Sequence, residues 1–100
     1  MTADPLFRMV VEDVFSIVKR GTVVTGKIET GSLKVGDEVA IRGRGGEKKT
    51  VVAGIEAFRK VMDQAKQGDT VGLLFKDIAK QDVQPGDVIV SPGENFTLNP

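Results

Sequence analysis

The sequence predicts an all-β fold, a small closed antiparallel β-barrel. Three observations carry that expectation. Valine recurs along the chain and often alternates with polar residues, the period of two that marks a strand with one buried face. Gly-Asp stands just before an apolar run in Val35-Gly36-Asp37-Glu38-Val39, Gln67-Gly68-Asp69-Thr70-Val71 and Pro85-Gly86-Asp87-Val88-Ile89. Helical patterns are weak, and a short antiparallel sheet must hide its edges, which closure into a barrel achieves.

Taken in order, strands are expected at Arg8–Val18, Gly21–Thr30, Asp37–Arg42, Lys48–Phe58, Thr70–Phe75 and Asp87–Ser91. Lys19-Arg20-Gly21 makes a tight connection between the first two. Arg44-Gly45-Gly46-Glu47 reads as a hairpin loop, because glycine supplies the positive φ that such turns need. In each Gly-Asp element the glycine turns the chain and the aspartate bonds back to nearby backbone N–H groups. This is repeated turn chemistry rather than an internal duplication. Arg59–Gln67 contains good helix formers and is the main helix candidate; Asp77–Val83 has room for a single turn. The expected core comprises Val11, Val14, Val24, Ile28, Val39, Ile41, Val52, Val71, Leu73 and Val88.

Composition limits the chemistry. The chain has 100 residues, enough for one small domain, and 14 basic against 14 acidic side chains, so it carries no net charge. That balance argues against a domain built to coat nucleic acid, while leaving room for local patches. Cysteine and histidine are both absent, which removes thiol chemistry, the commonest metal ligands and the usual general base. Ser16, Ser32 and Ser91 therefore have no histidine to activate them. Arg42-Gly43-Arg44-Gly45-Gly46-Glu47-Lys48-Lys49 is glycine-rich and basic but lacks the phosphate-loop pattern and lies between two strand patterns. Glu12 and Asp13 are adjacent, so in one strand they point to opposite faces and form no catalytic pair. The expectation is a binding protein, not an enzyme, with no cofactor and no metal. The first residues show no secretory signal, and no apolar run approaches the ~20 residues that span a bilayer, so a cytoplasmic location with no membrane partner is expected.

Several stretches together are specific. They are Val11-Glu12-Asp13-Val14-Phe15-Ser16-Ile17, Arg20-Gly21-Thr22-Val23-Val24-Thr25-Gly26-Lys27-Ile28-Glu29-Thr30-Gly31, Lys34-Val35-Gly36-Asp37-Glu38-Val39 and Gly54-Ile55-Glu56-Ala57-Phe58-Arg59-Lys60, followed by Gly68–Leu74 and Pro85–Val88. In this order they closely resemble the second domain of bacterial elongation factor Tu, over about Pro5 to Gly93. The resemblance implies a barrel of the translation-factor domain 2 type. It also implies a role: binding the aminoacylated 3′ end of transfer RNA during elongation, while a separate domain binds GTP.

Carried over by motif position, Ile17, Val23 and Leu74 would form the apolar wall of a pocket for the terminal adenosine. Glu56 would lie against the base and reach the ribose hydroxyl. The esterified amino acid would lie near Glu12, Asp13, Phe15, Thr25, Phe58, Arg59 and Thr70. Read without the resemblance, Ile17, Val23 and Leu74 are plain barrel residues, Phe15 and Phe58 are core aromatics, and Glu56 is a solvated acid or a partner of Arg59.

Two departures stand out. Thr70 occupies a position where the resembled family usually has Asn, and Lys19 one where it usually has Gly. The expected organisation is a flexible N-terminus at 1–6, one barrel over 7–93 and a C-terminal tail at 94–100, with the GTPase domain and the third domain of the parent factor outside this chain. The alternative is a stand-alone Tu-like barrel acting as a protein-interaction or structural module without tRNA binding.

Overall fold

A computed structural model describes residues 6–43, 46–57 and 59–92. The described residues hold strands β1 (Arg8–Val10), β2 (Asp13–Ile17), β3 (Gly21–Thr30), β4 (Ser32–Lys34), β5 (Glu38–Gly43), β6 (Gly46–Val51), β7 (Gly54–Ala57), β8 (Lys60–Met62), β9 (Gln64–Lys66), β10 (Thr70–Phe75) and β11 (Val88–Val90). A single 3-10 turn spans Lys80–Asp82. Strands run antiparallel in the order β6-β5-β11-β1-β3-β10-β7-β8, with β2 on β3 beside β1, and β4 pairs with β9 separately.

The sheet closes through a bent segment. β6 pairs with β5, and the same stretch of chain continues as β7 to pair with β10. At the bend the Val52 N–H donates to the Asp37 carbonyl (3.0 Å) and the Ala53 N–H to the Leu74 carbonyl (2.8 Å). β6 lies at one end of the strand order and β7 next to the other end, so one segment reaches both sides of a strongly curled sheet, and the all-β, barrel-type architecture expected from the sequence is the fold. The expected strand Lys48–Phe58 is this bent pair.

Arg8–Val18 is also divided. β1 and β2 both lie along β3, but between them the Val11 N–H turns to the Asp87 carbonyl (2.8 Å). The chain there serves two neighbouring strands, which no local pattern announces.

Arg59–Gln67, the weak helix candidate, forms no helix; that stretch forms β8 and β9. Met62 pairs with Ile55, and Ala65 with Leu33. Helix propensity is worth only tenths of a kcal/mol per residue, and burying Ala65 while pairing two strands outweighs it. The single turn expected within Asp77–Val83 is present as the 3-10 turn.

The three Gly-Asp elements form the same turn. Asp37, Asp69 and Asp87 accept the N–H of Lys34, Lys66 and Gln84 on Oδ2 at 2.9, 3.0 and 3.0 Å. The preceding glycines have φ of 96°, 93° and 97°, a region side chains rarely enter. The hairpin expected at residues 44–47 joins β5 to β6, with Gly43 paired to Gly46 and its tip outside the described residues.

Eight of the expected core residues (Val11, Val24, Ile28, Val39, Ile41, Val52, Val71 and Leu73) are buried in the barrel. Val14 and Val88 are half-buried instead, Val14 packing against the core from β2. The bulk of the interior also comes from Phe7, Met9, Leu33, Ile55, Phe75 and Ile89. Burial of each such side chain stabilises by roughly 1.5–3 kcal/mol before entropy is counted.

Candidate functional site

The register places one set of residues on the outer face of four adjacent strands. Phe15 on β2 pairs with Val23 on β3, Val23 with Leu74 on β10, and Leu74 with Gly54 on β7. The next row runs Asp13, Thr25, Gly72 and Glu56. Ile17 pairs with Gly21 at one end, and Thr70 with Lys27 at the other. Side chains two apart on a strand share a face, so these rows form one surface.

Burial agrees with that geometry. Along β3 the buried residues Thr22, Val24, Gly26 and Ile28 alternate with the partly exposed Gly21, Val23 and Thr25. Leu74 is 8% exposed yet stands apart from the interior cluster that contains Leu73 and Phe75. It is covered on the outside of the barrel, not from within. Phe15 is 51% exposed.

Gly72 lets the neighbouring strand pack closely on this face. A methyl group there would come 3.1 Å from Cγ1 of Val23, closer than ordinary packing allows. Val23 thus packs over Gly72, and Leu74 lies beside Gly54, with Thr25 and Glu56 next to them on the same face. The sequence contained a signal for it, since a glycine inside a strand pattern marks a close approach.

Glu56 is held at the β7 end of this row. Its Oε2 accepts from Nη2 of Arg20 at 3.3 Å, both side chains about half exposed. The partner is Arg20 from the β2–β3 turn, not Arg59. That turn is closed by the Arg20 N–H donating to the Ile17 carbonyl (2.9 Å). Lys19 sits in it at φ 66°, which explains why glycine suits the position. Arg59, in the β7–β8 turn, has φ 67°. Of the described residues only these two depart from the glycine rule at positive φ, and both flank the site.

The structure therefore brings together Ile17, Val23, Leu74 and Glu56, with Asp13, Phe15, Thr25 and Thr70 on the same face. Glu12 lies just outside β2, exposed, with its N–H donating to the Thr25 carbonyl at 2.7 Å. Arg59 is exposed at the border, and Phe58 lies outside the described residues. Arg20, Gly72 and Gly54 are the site residues that sequence reasoning did not assign.

Such a surface can bury a flat apolar group and offer a carboxylate to a hydroxyl beside it. It is carried on the outside of a β-barrel-type domain. Residues 21–90 match the family model of elongation factor Tu domain 2. The chain belongs to that family, a non-catalytic domain of translation factors. Among the described residues no helix is long and apolar enough to cross a membrane.

Proposed function

We infer that this barrel binds the aminoacylated 3′ end of transfer RNA in translation elongation, in the cytoplasm, as the partner of a GTPase domain and a third domain. The reading rests on one observation: Ile17, Val23, Leu74 and Glu56, from four adjacent strands, share a single outer face. A terminal adenine lies against the apolar wall, where stacking or burial of one base is worth ~1–3 kcal/mol. The Glu56 carboxylate exchanges the Arg20 guanidinium for the ribose hydroxyl, and that charge-assisted bond reads RNA. The esterified amino acid lies toward Asp13, Thr25 and Thr70, bordered by Glu12, Phe15, Phe58 and Arg59. Backbone contacts at Arg59 and Thr70 suit a carrier that accepts many side chains.

The chain alone is expected to bind weakly, because further contacts of the transfer RNA fall on other domains. An NMR titration with a short aminoacylated 3′-end mimic is the test. Shifts should concentrate at Ile17, Glu56 and Leu74; silence at those residues with millimolar ligand overturns the reading. Glu56→Ala should weaken binding and leave the melting temperature nearly unchanged, since an exposed ion pair contributes at most about 1 kcal/mol. Equal losses in both would make Glu56 structural, and recovery of proteins without RNA in a pull-down would favour a protein-interaction module.

A further inference from the structure

A second groove adjoins the site at its Ile17 end. It has a volume of about 600 Å³ and runs between the β2–β3 turn, residues Ser16 to Thr22, and the segment Lys76 to Gln81. Among the described residues four cations line it, Lys19, Arg20, Lys76 and Lys80, and no carboxylate does. In a chain of zero net charge this is a local imbalance with a structural cause.

The acids of the same segment are committed elsewhere. Asp77 takes the Thr50 hydroxyl. Asp82 takes the Ala79 N–H at 2.9 Å and lies 3.4 Å from the Lys48 ammonium. Arg20 is paired with Glu56, whereas Lys19, Lys76 and Lys80 enter no ion pair among the described residues. Thr22 ties the groove's two walls together by donating its hydroxyl to the Ile78 carbonyl at 2.5 Å. Lys19 is held there at a backbone conformation that disfavours its side chain.

We propose that this groove binds the phosphodiester backbone of a single-stranded nucleic acid, at the nucleotides that precede the one seated beside Glu56. The proposal rests on the 3′-end reading for its direction but not for its chemistry. Three free ammonium groups on tied walls suit a flexible polyanion: each is a compact point charge that accepts phosphate in many orientations. Ile17 and Arg20 belong to both the groove and the adenosine site, so one strand can run from phosphates to terminal base without a gap.

The test compares the full chain with the variant Lys19→Gly/Lys76→Gln/Lys80→Gln. Two probes are used, a fluorescent single-stranded RNA hexamer ending in adenosine and the uncharged nucleoside adenosine. Thermal melts verify that the variant is folded; should it not be, the three single variants are measured instead. Three phosphate contacts on a single strand give a salt slope of about −2, so hexamer affinity should fall about twentyfold between 50 and 200 mM salt. The triple variant should lose most of that slope, and each single variant about a third of it, with adenosine binding unchanged. An unchanged slope overturns the groove even if adenosine still binds at Glu56. Loss of the slope on lysine removal, with neither adenosine binding nor any effect of Glu56→Ala, keeps the groove and overturns the 3′-end reading.

Discussion

β3 and β10 carry two surfaces made from alternate residues of the same strands. Facing inward, Val24 and Leu73 are fully buried and pair with each other; facing outward, Val23 and Leu74 pair just as closely. The inner surface needs only apolar volume that fills the barrel. The outer one needs particular shapes: a missing side chain at Gly72, a covered Leu74 and a carboxylate at Glu56. One strand pair thus divides stability from recognition by parity alone.

The largest expected effect breaks the inner side. Leu73→Ala should cost about 2–5 kcal/mol by chemical denaturation, because it removes buried methyl groups from a closed interior. Val23→Ala, its neighbour on the outer face, should cost less than about 1.5 kcal/mol and instead weaken binding of the 3′-end mimic. Similar stability losses in both would dissolve the distinction.

The turns sharpen it. At Gly86 a methyl group would meet nothing within 4 Å, so Gly86→Ala tests backbone conformation by itself. It should destabilise by about 1–2 kcal/mol, since φ is 97°. At the site's rim the opposite substitution, Lys19→Gly, should stabilise by about 0.5 kcal/mol while weakening the RNA hexamer. That pairing of signs marks strain retained beside a binding surface.

The smallest effect concerns Asp82. The Ala79 N–H, aided by the Lys48 ammonium, holds its carboxyl below the usual aspartate range. A lowered folded-state value stabilises above the unfolded value and is lost as pH falls through the folded one. Acid melts should therefore show a small loss at the bottom of the carboxylate range. Asp82→Asn should remove that part of the pH dependence, and an unaltered acid limb would rule the contact out as its source.

Much of this was legible in the residues. Gly21–Thr30 and Thr70–Phe75 are strands over the expected ranges, because alternation is local and each strand keeps one face buried over most of its length. The Gly-Asp turns were legible for the same reason: glycine and aspartate act within four residues. Ile17, Val23, Leu74 and Glu56 share a face, which follows from strand parity once the register between strands is set. The ion pair was not legible. Glu56 chose Arg20, 36 positions away, over the neighbouring Arg59.

The sequence by itself determined the central strands β3 and β10, most of their inward residues and the Gly-Asp turns, since each follows from backbone geometry over a few positions. Only the tertiary structure decided where the barrel bends at Val52-Ala53, which good helix formers became β8 and β9, and which cation meets Glu56. Those outcomes depend on register between distant strands. A shift of one residue there would exchange the inner and outer faces.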